Sequence, residues 1–163
     1  MTNVAAGKSE YTAAIVDNGL VPLILTHLKS PAGNVRTQAA WTVGNIAGDC
    51  ASFRDLLLDF GVAELLADIM NIDWPEPHKR EMCRGVVTWS IGNLCRYKYF
   101  DWEKLKPAFP FLVSVFEMND LQTLKEACWA LQRIFHNKHV DAVLPAPLIS
   151  RLLELMTYVL SRN

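Results

Sequence analysis

One phrase recurs in this chain, and its spacing restricts the fold more than any other feature. Trp41-Thr-Val-Gly-Asn45-Ile-Ala-Gly-Asp49 returns as Trp89-Ser-Ile-Gly-Asn93-Leu-Cys-Arg96, and again in altered form as Trp129-Ala-Leu-Gln-Arg133-Ile-Phe135. Residues four apart lie on one face of a helix. Helices that each carry a Trp–Asn pair would therefore form a row along one surface. Such a row suits the gripping of an extended chain and carries no bond-breaking chemistry.

The arithmetic of the repeat points the same way. The Trp anchors are 48 and 40 residues apart. A second anchor precedes each of them, at Gly19-Leu-Val-Pro22, Gly61-Val-Ala-Glu64 and Phe109-Pro110, and aligning Pro22, Glu64 and Pro110 gives spacings of 42 and 46. From second anchor to Trp the distance is 19, 25 and 19 residues, and the surplus falls at Asp73-Trp-Pro-Glu-Pro-His78, whose prolines mark a loop. A period near 42 with one inserted loop belongs to a helical repeat array.

Each unit is expected to open with a short helix, as at 21–28, where Pro22 suits a first helical turn. A polar break follows, Lys29-Ser-Pro-Ala-Gly-Asn34 in the first unit and Met118-Asn-Asp120 in the third. Longer helices over 35–47, 79–95 and 121–135 then carry the Trp phrase. No segment shows the alternation of a half-buried strand, so the class is all-α. Gly44 and Gly92 hold the same repeat position at a cost of ~1 kcal/mol each relative to Ala. Close approach of a neighbouring helix or ligand accounts for them; so does simple tolerance.

These residues resemble the armadillo repeats of the importin-α family, adaptors that recognise nuclear localisation signals. The likeness is carried by Gln38-Ala-Ala-Trp41 through Asp49, by Phe53-Arg54-Asp55, and by Thr88-Trp89 through Arg96-Tyr-Lys98. It extends more loosely to Ala127-Cys128-Trp129-Ala130-Leu131, and to Thr2–Thr12, which looks like the end of a preceding third helix. The resemblance implies a right-handed armadillo solenoid in one array: the end of a partial repeat at 1–17, repeats at 18–58, 59–104 and 105–141, and a partial repeat at 142–163.

It also implies a function and a set of residues. In the family the third helices line a concave groove, where Asn amides bond the backbone of a basic peptide and Trp rings flank its cationic stems. An Asn side chain offers both a donor and an acceptor, and an indole face attracts a cation by ~0.5–2 kcal/mol. Carried over, Gly7, Thr12 and Asp49 would form the pocket for the dominant lysine. Trp41/Asn45 and Trp89/Asn93 would be the main rungs, Asn3 an outer one, and Trp129 with Glu126 an altered third. The implied partners are lysine-rich nuclear-localisation peptides, and the implied setting is nuclear import between nucleus and cytoplasm. Two departures stand out. The Trp expected four residues before Asn3 would precede Met1, and Arg133 stands where Trp129 needs an Asn-like partner. No basic importin-β-binding segment is expected in the chain. A scaffold of the same fold that has lost peptide binding is the alternative.

Composition limits the remaining classes. The net charge of −1 gives no general attraction for nucleic acid or an anionic membrane, and no apolar run is long enough for a membrane span. Cys50, Cys83, Cys95 and Cys128 form no Cys-x-x-Cys pair and read as reduced packing residues. Trp74 and Trp102 lie off the repeat register and read as packing, Arg54-Asp55 and Glu103-Lys104 as solvated charges. His136-Asn-Lys-His139 lacks further ligands for a metal. No nucleophile elbow, P-loop or His-Glu-x-x-His pattern occurs, so neither an enzyme nor a cofactor is expected. The apolar segment from Leu148 to Leu160 is expected to cover the third unit; the N-terminal end has no such cover, which leads to an expectation of self-association or limited solubility.

Overall fold

The computed structural model describes residues 2–137 and 144–160. His139 and the expected repeat boundary at 141/142 lie outside the described residues. The helices, in chain order, are α1 (Thr2–Ala5), α2 (Ser9–Asp17), α3 (Val21–His27), α4 (Gly33–Asp49), α5 (Ala51–Asp59) and α6 (Val62–Asp68). They continue as α7 (Pro77–Leu94), α8 (Trp102–Leu105), α9 (Phe109–Ser114), α10 (Leu121–His136) and α11 (Ala146–Leu160). Among the described residues there is no strand, and the all-α expectation holds.

Each repeat contains three helices where the sequence suggested two. The additional first helices are α2, α5 and α8. Between first and second helix the chain reverses at Gly19 (φ 66°) and Gly61 (φ 70°), left-handed positions that favour glycine. In the third repeat a short 3₁₀ turn, Lys106–Ala108, makes this connection instead. The segment Thr2–Thr12 is likewise not one helix end: α1 stops at Ala5, and α2 starts at Ser9.

The long third helices begin where their sequences allow. Pro77 occupies the first turn of α7, and the Asp120 carboxylate accepts the Thr123 N–H at 2.8 Å to cap α10. Their inward faces repeat at helical spacing: Ala40, Val43 and Ala47 on α4, Val87, Ile91 and Leu94 on α7, all buried. α1 packs on α4, α4 on α7 and α7 on α10. The third helices therefore lie side by side, with their outward faces forming one surface.

Two buried arginines join neighbouring repeats. Arg36 donates to the carbonyls of Ser30 at 2.7 Å, Pro31 at 3.0 Å and Asp73 at 2.9 Å, and its guanidinium lies 4.0 Å from the Trp74 ring centre. Trp74 is buried, as is Trp102, in keeping with packing roles. Arg54 corrects its sequence reading as a solvated charge: it is 1% exposed and donates to the Tyr97 carbonyl at 3.1 Å. Its place on α5, a helix the sequence reading lacked, turns it inward. Glu103 and Lys104 are exposed, Lys104 pairing with Asp59 at 2.6 Å. At the C-terminal end Leu148 is buried and Arg151 bonds the Phe116 carbonyl at 3.1 Å, while Ile149, Leu153 and Met156 remain exposed.

Candidate functional site

The surface formed by α1, α4, α7 and α10 collects most of the residues singled out in the sequence. Its internal bonding follows a repeat-to-repeat rule. Asn45 Nδ2 donates to the Thr2 carbonyl at 3.4 Å, Asn93 Nδ2 to the Gly44 carbonyl at 3.1 Å, and Arg133 Nη1 to the Gly92 carbonyl at 2.8 Å. Each rung residue thus ties its helix to the previous third helix. This bonding was not legible in the sequence, because it depends on how far one helix slides along the next. An Asn amide has two donors and an acceptor, so one such bond leaves the side-chain oxygen and one N–H for a ligand. Asn3 is exposed on α1.

Over the second rung lies a hollow of about 390 Å³, lined by Trp41 of α4, by Gly85, Val86 and Trp89 of α7, and by Gln122, Thr123 and Glu126 of α10. Trp41 is 44% exposed and Trp89 half-buried. Trp89 is the more enclosed because it fills the space beside Gly44, where a Cβ would come within 2.3 Å of its ring. Close approach therefore explains Gly44. It does not explain Gly92, where the nearest atoms would be 3.9 Å away. Glu126 is half-buried at the edge of the hollow, its Oε1 accepting from Gln122 Nε2 at 3.1 Å. A carboxylate beside two indoles favours a long cationic side chain, since methylenes pack on the rings and the charged head meets the carboxylate.

Trp129 stands outside this hollow and is 48% exposed. Lys125 Nζ lies 5.2 Å from its ring centre and Arg133 Cζ 5.7 Å. Arg133 is not paired with Glu126: among the described residues its bonds run to the Gly92 carbonyl and its cation faces Trp129.

The three residues expected around a lysine pocket have different surroundings. Asp49 ends α4, half-buried, and its carboxylate accepts the Ser9 hydroxyl at 2.7 Å. Tyr97 Oη donates to the carbonyls of Gly48 at 2.8 Å and Asp49 at 2.7 Å, and Arg96 donates to that of Gly48 at 3.2 Å. These donors satisfy the helix end on which Asp49 places a further negative charge. Gly7 is exposed between α1 and α2. Thr12 is 1% exposed, with its hydroxyl directed at the Ala5 carbonyl at 3.4 Å. Ser9, which sequence reasoning missed, is the hydroxyl that meets Asp49. The only sequence signal for it was a serine two residues beyond Gly7.

The chain is similar to known proteins along nearly its whole length. The Armadillo/beta-catenin-like repeat family matches residues 8–48. Importin subunit alpha-1b of Oryza sativa subsp. japonica is 37% identical over 161 residues, covering 97% of this chain and 29% of that protein. Importin subunit alpha-2 of Arabidopsis thaliana is 35% identical over the same shares. The chain thus spans less than a third of the length of these relatives. Among solved structures, a designed armadillo repeat protein in complex with peptide (KR)4 superposes with a TM-score of 0.73 at 21% identity, over 94% of this chain and 59% of that one. At that identity the likeness concerns the fold alone.

Proposed function

The chain belongs to the importin-α family of armadillo-repeat proteins, and from that premise we propose that its third-helix face binds extended, lysine-rich peptides of the nuclear-localisation type. The chain is a non-enzymatic scaffold. The observation that carries the proposal is the hollow between Trp41 and Trp89 with Glu126 at its edge. The aliphatic stem of a lysine would lie between the indoles. Asn45 and Asn93 would bond the peptide backbone with the amide atoms left over from their helix-to-helix bonds. Asp49 would attract a second lysine, Ser9 yielding its hydrogen bond to the incoming ammonium, and Gly7 and Asn3 would border that end. The service is nuclear protein import, with the protein present in nucleus and cytoplasm.

A fluorescently labelled lysine-rich peptide titrated at low and high salt tests this. Binding should weaken as salt rises, because screening acts on the charged part of the contact. Glu126→Lys and Asp49→Lys should each weaken it about tenfold or more, as a like charge replaces an attractive one. No binding at high micromolar protein, or binding unchanged in both variants, removes the proposal. The second reading, a scaffold that no longer takes such peptides, is favoured by the Ser9–Asp49 bond and the buried Thr12, and absence of binding would select it.

A further inference from the structure

We propose that Lys125 and Arg133 close the Trp129 ring to cationic side chains and so fix where a bound basic run must stop; this rests on the peptide-binding reading above. Lys125 and Arg133 are placed four residues before and after Trp129, one turn to either side on α10. Their charged groups lie 5.2 Å and 5.7 Å from the ring centre, inside the ~6 Å range of cation–π attraction. The ring is thus already engaged by cations of its own chain.

Arg133 is also held in place. Its Nη1 bonds the Gly92 carbonyl at 2.8 Å, the bond that Asn93 makes to Gly44 one repeat earlier. The backbone tie of the array is kept, but a fixed positive charge replaces a neutral amide. Trp129 differs from Trp89 accordingly. Trp89 fills the space beside Gly44, whereas the space beside Gly92 contains no Trp129 atom among its nearest neighbours and has Arg133 Nη1 at 3.9 Å. Further along, Arg96, Lys98 and His136 border a hollow that Arg133 also lines. Glu126, the one carboxylate of α10 and three residues before Trp129, lines the hollow beside Trp41 and Trp89 and accepts from Gln122. A lysine reaching Trp129 would meet two like charges and a ring already in use. A basic run is therefore accepted over two rungs and repelled at the third.

Two measurements test this in the full chain, comparing wild type with Arg133→Asn/Lys125→Ala. Asn at 133 keeps a donor for Gly92, and Lys125 is exposed, so the fold should persist. In the first, labelled peptides with basic runs lengthened residue by residue from either end are titrated. Wild-type affinity should level off once two rungs are filled, while the double variant should bind the longest peptides about tenfold more tightly and the short ones equally. Wild-type affinity that keeps rising with length, or equal affinity of both proteins for the longest peptides where binding occurs, overturns the proposal. The second measurement is independent of peptide binding: n-butylammonium is titrated while the indole N–H resonances are followed by NMR. The Trp129 resonance should be still in wild type and move in the double variant. Movement in wild type overturns the proposal; so does silence in the double variant, because the two residues are then not what keeps cations away. If no peptide of any length binds either protein, the peptide-binding reading falls, and the indole titration decides the ring-closure question by itself.

Discussion

The ring of Trp89 occupies the space that a side chain at Gly44 would need: its Cζ3 lies 2.3 Å from where a Cβ at 44 would stand. Ser90 Oγ, which donates to the Ala40 carbonyl at 2.8 Å, closes the same space at 2.6 Å. One contact thus sets both the separation of α4 and α7 and the position of an indole on the candidate binding face.

Gly44→Ala and Gly92→Ala should consequently move stability in opposite directions. Alanine is favoured in a helix interior by ~1 kcal/mol, but overpacking costs ~1–3 kcal/mol. At 44 the overlap wins, giving a net loss of up to ~2 kcal/mol and a displaced Trp89. At 92 the nearest atoms are at van der Waals distance, so a gain of up to ~1 kcal/mol is expected. Urea denaturation of the two variants measures this, and equal effects would contradict it.

Acid should weaken the start of α10 through Asp120. The Thr123 hydroxyl, and then the Thr123 backbone N–H, hold its carboxyl below the usual carboxylate range. A depressed folded-state pKa gives stability that is fully present above the unfolded value, near 3.9, and is lost as pH falls through the lower folded value. Thermal melts from neutral pH to about pH 2 should show this loss reduced in Asp120→Asn, which caps without titrating. Asp120→Ala should cost ~1 kcal/mol at neutral pH. Identical acid profiles for wild type and Asp120→Asn would count against the assignment.

Thiol labelling should separate the four cysteines in order of burial. Cys128 is exposed, Cys50 half-buried, and Cys83 and Cys95 buried, which corrects the uniform packing role read from the sequence. Burial pushes the Cys95 thiol up to about 12 and raises that of Cys83, so neither offers a thiolate near neutral pH. Cys128 should react first, though desolvation raises its thiol too and slows it relative to a free thiol. Cys83 and Cys95 should react only on unfolding. Mass spectrometry of partially labelled protein gives the order, and early modification of Cys95 would contradict the packing of α7.

The sequence was most legible where a property repeats. Trp41, Trp89 and Trp129 announced parallel helices with a shared outward face, and the third helices begin and end within two residues of the spans read from them. The first helices were missed although α2 and α5 are longer than the second helices α3 and α6: Arg54 within α5 looked solvated, yet its guanidinium reaches the Tyr97 carbonyl of the next repeat. Contacts of this kind link residues some forty positions apart, and no local pattern encodes them.

The sequence by itself determined the all-α repeat, the register of the Trp phrases and the chemistry offered on one face, because helical periodicity is a local property. Tertiary structure decided how those groups are used. Stacking α7 on α4 set Trp89 beside Gly44 and committed one Asn93 N–H to a carbonyl; the path of the chain between α1 and α2 gave Asp49 to Ser9 and buried Thr12. The altered rung shows the division most clearly. Arg133 could be read from the sequence as a change of charge, but only the distances between helices show that it ties α10 to α7 while it and Lys125 hold the Trp129 ring between them.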